Sequence, residues 1–155
     1  DEYPLTAAGW RIDDNGRKFI RVKGVRWFTN IDHGRRHEPL PLMTMADNLR
    51  FSKHKELKGK TAYDRYDNYD AIEVPFTDAI PSDYDGVMGV PISFLDKYCP
   101  EQFEILGISL ELGIKKPDNL PKEKQGGPAF YIKMGTDYNR MYCRLAIRRK
   151  LTIDN

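Results

Sequence analysis

Between residues 63 and 106 the chain is punctuated at short intervals by Pro75, Pro81, Gly86, Gly89, Pro91 and Pro100. Proline removes a backbone donor and fixes φ, so no long helix fits between these points. The segments left over are short and rich in tyrosine and aspartate, as in Tyr66-Asp67-Asn68-Tyr69-Asp70 and Asp83-Tyr84-Asp85-Gly86. A solvated linker lacks this much aromatic surface, and a plain core strand lacks this many carboxylates. The composition suits a folded, loop-rich recognition face with stacking platforms and hydrogen-bonding groups.

Residues 10–13 and 19–22 read as strands around Asp13-Asp14-Asn15-Gly16, a turn in which Asn-Gly accepts positive φ. Residues 25–29 read as a third strand with Trp27 buried. Residues 30–42 form a loop, broken by Gly34, Pro39 and Pro41. Residues 45–51 suit a short helix capped by Thr44, and residues 53–60 are polar and expected to be mobile. Short strands are predicted over residues 71–74 and 87–90, a helix from Pro91 to about Tyr98, and a strand from Phe103 interrupted by glycine. Residues 115–128 hold three prolines and several charges, which predicts a loop or a disordered insertion. Residues 130–134 and 141–151 read as a hairpin across residues 135–139. In its last strand Met141, Cys143, Leu145 and Ile147 alternate with Tyr142, Arg144, Ala146 and Arg148, which predicts one packed face and one wet, basic face. The sum is an α+β fold, loop-rich, with mostly antiparallel strands and hairpins and one or two short helices. With 155 residues the chain is expected to form a single domain, residues 1–155.

The formal net charge is only +2, so bulk charge does not argue for nucleic acid. Its distribution says more. Basic residues gather at Arg35-Arg36, over residues 53–60 and over residues 144–150, while acidic residues concentrate between Asp64 and Asp85. Each basic cluster can equally be a solvated face. Cys99 and Cys143 lie in no CxxC or Cys/His pattern, as expected of a reduced, cytoplasmic protein. His33, His37 and His54 lack metal-site spacing. No apolar run is long enough to span a membrane.

Three constellations bear on chemistry. Arg35, Arg36 and His37 sit on a glycine-containing loop where guanidinium groups can grip phosphates or fork onto a guanine edge, or else pair with Asp32 and Glu38. In the Tyr-Asp-Asn-Tyr-Asp run, Asn68 can contact an adenine edge and Tyr69 can stack on a base. Alternatively Asp67, Asp70 and Glu73 form a general acid/base set, or the run is a turn that caps its own backbone. Asp83-Tyr84-Asp85-Gly86 lacks the closing glutamate of a calcium loop, and Gly86-Val87-Met88-Gly89 lacks the Lys-Ser/Thr of a phosphate loop.

Several of these segments also carry a resemblance. Trp27-Phe28-Thr29-Asn30-Ile31-Asp32 with Arg36-His37, Tyr66-Asp67-Asn68-Tyr69-Asp70-Ala71-Ile72, the block from Ile80 to Leu95, and Pro100-Glu101-Gln102-Phe103-Glu104 resemble, in order, the C-terminal half of the EcoRI-type adenine-specific DNA methyltransferase family. The resemblance implies methyl transfer from S-adenosylmethionine to adenine N6 in double-stranded DNA. The family's Asn-Pro-Pro-Phe motif and glycine-rich cofactor site do not occur here, and the chain has no Pro-Pro dipeptide. With Asp1 in place of a methionine, the chain is therefore expected to be the target-recognition part of a longer protein. Its partners would be double-stranded DNA and an N-terminal catalytic half, and the chain alone is expected to be inactive. Phosphate and base contacts are expected at Arg35, Arg36, His37, Lys53, Lys55, Asn68 and Tyr69. The alternatives are a stand-alone nucleic-acid-binding or scaffold domain without activity and, more remotely, a carbohydrate-acting enzyme built on Asp67, Asp70 or Glu73.

Overall fold

The computed structural model describes residues 10–20 and 31–150. The chain divides into two compact units, Asp1–Asp32 and His33–Asn155.

In the first unit β1 (Trp10–Ile12) pairs antiparallel with β2 (Lys18–Ile20), with Arg11 opposite Phe19. The turn forms as its sequence predicts. The Asp13 carboxylate accepts from the backbone N–H groups of Asn15 (3.0 Å) and Arg17 (2.8 Å), and Gly16 takes φ 74°. The Arg11 guanidinium lies 5.1 Å from the centre of the Phe19 ring. The strand expected over residues 25–29 lies outside the described residues.

The second unit is built on a four-stranded sheet of order β3-β4-β8-β5. Its strands are β3 (Ile72–Glu73), β4 (Met88–Pro91), β5 (Phe103–Ile108) and β8 (Arg144–Arg149). Only β3 and β4 are parallel; β8 runs antiparallel to both of its neighbours. A separate ribbon pairs β6 (Tyr131–Met134) with β7 (Asp137–Arg140). Among the described residues the one α-helix is α1 (Met45–Phe51), and a 3-10 turn over Ile92–Lys97 stands where a longer helix is predicted. The result is α+β, loop-rich and mostly antiparallel.

The C-terminal region departs from the expected hairpin. Residues 130–134 fold back on β7 through the two-residue turn Gly135-Thr136, with Gly135 at φ 63°, as in two-residue hairpins with glycine first. β8 then crosses into the larger sheet. The reason lies in its centre: Leu145, Ala146 and Ile147 are all buried. Leu145 and Ile147 join the main core with Met88, Val90, Phe94 and Phe103, whereas Ala146 faces a second cluster with Tyr66, Ala71 and Phe130. The face expected to be wet is therefore covered, and only the flanking arginines stay polar, each with a carboxylate partner. A strand apolar on both faces belongs in the middle of a sheet.

Two side chains fix the surroundings. Thr44 caps α1, its hydroxyl accepting from Asp47 N–H (3.1 Å), and Met45 and Leu49 press the seven-residue helix onto the core. So short a helix depends on that packing. Asn48, 1% exposed, donates to the carbonyl of Ala79 (3.2 Å), which also accepts from the Tyr63 hydroxyl (2.6 Å). Burial and the nearby carboxylates Asp83 and Asp78 push the Tyr63 hydroxyl up to about 12, so it remains a neutral donor.

Gly89 marks the tightest approach. A Cβ there would stand 1.9 Å from the Tyr66 hydroxyl oxygen, because the tyrosine lies across β4 at this point. Gly89→Ala is expected to displace Tyr66 and lower stability by about 1–3 kcal/mol, the usual range for overpacking. A denaturant midpoint equal to that of the parent would refute this account of the glycine.

Candidate nucleic-acid interface

The basic loop forms a 3-10 turn over Gly34–His37, closed by the Arg36 N–H on the His33 carbonyl (3.0 Å). Its exit is tied to the sheet by one side chain. Gln102 accepts from the Leu40 N–H (2.7 Å) and donates to the Leu40 carbonyl (2.9 Å), as a neighbouring strand would. Beside it His37 Nδ1 lies 2.6 Å from Glu101 Oε1. The His37 hydrogen bond, followed by one from the Cys99 thiol, holds the Glu101 carboxyl below its ordinary value of 4.5. Gln102 precedes β5, and its carbonyl accepts from Lys150 N–H just beyond β8 (2.9 Å). The loop thus lies at the sheet end where β5 starts and β8 finishes. Arg148 and Arg149 mark the same end, paired with Glu104 (2.8 Å) and Asp85 (3.6 Å). Arg35 and His37 are exposed, and Arg36 is half-buried.

Lys53 and Lys55 are exposed on a segment that is anchored, contrary to the expected mobility. Leu57 is 2% exposed, and the His54 ring stacks on Phe76 at 3.6 Å while pairing with Asp78. This segment reaches the opposite end of the sheet. Leu57, Lys60, Phe76, Ile132, Lys133 and Arg144 line a cleft of about 640 Å³ there.

Asn68 and Tyr69 fall in a third place. The Asn68 amide donates to the carbonyls of Lys115 (2.8 Å) and Ala129 (2.9 Å), and its oxygen accepts from Tyr131 N–H (2.9 Å). Both donors are engaged, so a bidentate contact to adenine would require breaking this bracket. Asn68 thus clamps three backbone groups within the chain, and the base contact expected of it would have to replace these bonds. Tyr69 is half-buried, its ring 5.4 Å from that of Phe130. Nor do the three carboxylates of this region form an acid/base set: exposed Asp70 pairs with Arg65, whereas Glu73 is buried and paired elsewhere. Asp83 accepts from Met45 N–H (2.7 Å) at the start of α1. Among the described residues no group of His, Cys, Asp and Glu could hold a metal ion, and no helix is long and apolar enough to cross a membrane. Cys99 and Cys143 are both free.

One constellation escapes the sequence reading. Glu73, 4% exposed, receives Arg144 Nη2 (2.7 Å) and Nε (2.9 Å) on Oε1 and the Tyr66 hydroxyl on Oε2. Burial first, then the Glu73 charge, pushes the Tyr66 hydroxyl far above its ordinary range and keeps it a donor. The signal was a carboxylate inside Ala71-Ile72-Glu73-Val74, since a charge in a buried strand needs a partner.

These folded parts belong to a known class. The chain is a member of the family described as adenine-specific methyltransferase EcoRI, whose model matches residues 1–150. Among its relatives is the type II methyltransferase M.EcoRI of Escherichia coli, 42% identical over 118 residues, covering 76% of this chain and 32% of that protein. M.MgeORF184P of Mycoplasma genitalium is 40% identical over 92 residues, 59% of this chain and 26% of the relative. M.MpnI of Mycoplasma pneumoniae is 36% identical over 95 residues, 61% of this chain and 27% of the relative. The chain thus spans between 26% and 32% of the length of these curated relatives. No solved structure matches it.

Arg144→Ala leaves the buried Glu73 carboxylate unpaired and is expected to cost about 3–5 kcal/mol, whereas Glu73→Met with Arg144→Met restores much of the loss. Chemical denaturation of both variants checks this, and a neutral Arg144→Ala would exclude the pair as a stabilising element. A second expectation concerns pH. Because the folded Glu101 carboxyl titrates below 4.5, its tie to His37 is complete above that value and is lost as pH falls through the lower, folded midpoint. In a carboxyl NMR titration, His37→Ala should move the Glu101 midpoint back up toward 4.5.

Proposed function

We propose that this chain is the target-recognition part of a site-specific adenine-N6 DNA methyltransferase. S-adenosylmethionine would supply the methyl group, bound by a catalytic portion of the protein carrying the family's Asn-Pro-Pro-Phe motif and cofactor site. This chain contains neither motif, so alone it would grip and read duplex DNA without transferring a methyl group.

The observation that carries the reading is the Arg35-Arg36-His37 turn. Its Arg35 and His37 are exposed, yet the turn is tied to the framework by Gln102 and Glu101, beside the arginines that end β8. Long cations on a fixed turn suit phosphate contacts, which set register on a duplex without reading sequence. Lys53 and Lys55 would grip phosphates from the other end of the sheet. β8 has six residues, so the two ends lie roughly 20 Å apart, or about six steps along one DNA strand. A single duplex lying along the sheet would reach both. Tyr69 would contribute to the fold of this surface rather than stack on a base.

Fluorescence anisotropy of a labelled duplex across a salt series tests the reading. Replacing Arg35 and Arg36 with alanine should weaken binding and reduce the salt slope by about 0.9 per lost phosphate contact. Parent affinity and slope in the double variant would remove this loop from the interface.

A further inference from the structure

We propose that the β6–β7 ribbon is the base-reading element of this chain and enters the major groove of duplex DNA. The proposal rests on the DNA-recognition reading above and assigns it a second, independent surface.

The ribbon is held rigidly along both strands and still presents exposed side chains. Asn68 clamps the entry to the ribbon through Tyr131 N–H and Ala129 carbonyl, and Asp67 N–H donates to the Tyr131 carbonyl (2.8 Å). Tyr131 and Tyr138 are buried with Leu120 and Ala129, and Lys124 holds both the Asp137 carboxylate and the Tyr138 carbonyl. The remaining ribbon side chains are free of such ties, Asn139 and Arg140 standing opposite Ile132 and Tyr131 and Lys133 and Met134 next to the turn. Lys133, Met134, Thr136, Asn139 and Arg140 are all exposed. Among the described residues the side chains of Lys133, Asn139 and Arg140 have no hydrogen-bond or ion-pair partner within the chain.

Size and chemistry point the same way. Two strands lie about 5 Å apart. With side chains they fit a major groove about 12 Å wide and not a minor groove of about 6 Å. An amide held on a fixed ribbon can bridge N6 and N7 of adenine, which Asn68 cannot do while it clamps the fold. Asn139 supplies that amide. Met134 is 62% exposed, an odd place for an apolar side chain in water but a fitting one against a thymine methyl group. Lys133 and Arg140 add uncompensated positive charge to meet the phosphates that flank the groove.

The test is selection from a random duplex library by the full chain, followed by sequencing. Compared are the parent, Asn139→Ala, and Lys133→Ala with Arg140→Ala. The parent should enrich a short motif. Asn139→Ala should relax one A·T position of that motif by about tenfold to a hundredfold, with its affinity for random duplex unchanged. The double variant should weaken binding to every sequence alike. Circular dichroism melting should match the parent, since all three side chains are exposed. If the parent enriches a motif that Asn139→Ala keeps intact, the ribbon is not the reader, although the chain still recognises DNA. If the parent binds no duplex at low salt, the DNA-recognition reading falls and takes this assignment with it.

Discussion

A carboxylate buried in a two-residue strand is the constraint on which the second unit depends. Glu73 lies on β3, and in water its charge would cost nothing; inside the sheet it is tolerable only with cationic and neutral donors at hand. Arg144 provides the first from the opening residue of β8, two strands away. Tyr66 provides the second, and burial keeps its proton in place so that it donates and never repels. Both reach Glu73 because the strand between them carries no side chain at Gly89. The cluster thereby links β3, β4, β8 and the segment before β3. It also brings Tyr66 over Ala146, with Phe130 stacked on its ring at 4.6 Å. The apolar cluster on that face follows from where the charge sits.

The candidate contacts divide by how they are held. The arginine turn and the ribbon are both surface elements attached to the framework by side-chain amides, Gln102 in one case and Asn68 in the other. Each amide satisfies backbone groups that a loop would otherwise leave to water. Binding groups placed in this way keep their position and lose little conformational freedom on contact, which is what sequence-dependent recognition of a stiff duplex requires.

Local signals in the sequence were faithful where the local chemistry was decisive. Asp13 to Gly16 specified its own turn, Thr44 its helix cap, and Pro91 and Pro100 the limits of a short helical segment, which forms as six residues of 3-10 helix rather than α. Partners in space were not legible. The alternation in residues 141–148 reads equally as a half-exposed hairpin strand or as a central strand, and only the cluster supplied by Tyr66, Ala71 and Phe130 decides between them. The same holds for Asn68: an asparagine in a Tyr-Asp run looks available until Lys115, Ala129 and Tyr131 arrive from far along the chain. Arg35, His37, Lys53 and Lys55 are exposed, but their spread over two ends of one sheet is a property of the register and not of the spacing.

The Asn68 clamp has one more consequence. Its two donors hold the carbonyls on either side of the excursion from Lys115 to Ala129, so the ends of that excursion are fixed however the middle is arranged. The stem is packed, with Pro117 and Leu120 buried, while most of residues 122–128 face water. Loop closure penalises length only weakly, about 0.6 kcal/mol per doubling. So long as Lys124 keeps its hold on Asp137 and Tyr138, the rest of the outer part can therefore lengthen, shorten or change composition over evolutionary time without shifting the ribbon beside it, which makes it a place where related chains are free to diverge while their framework stays in register.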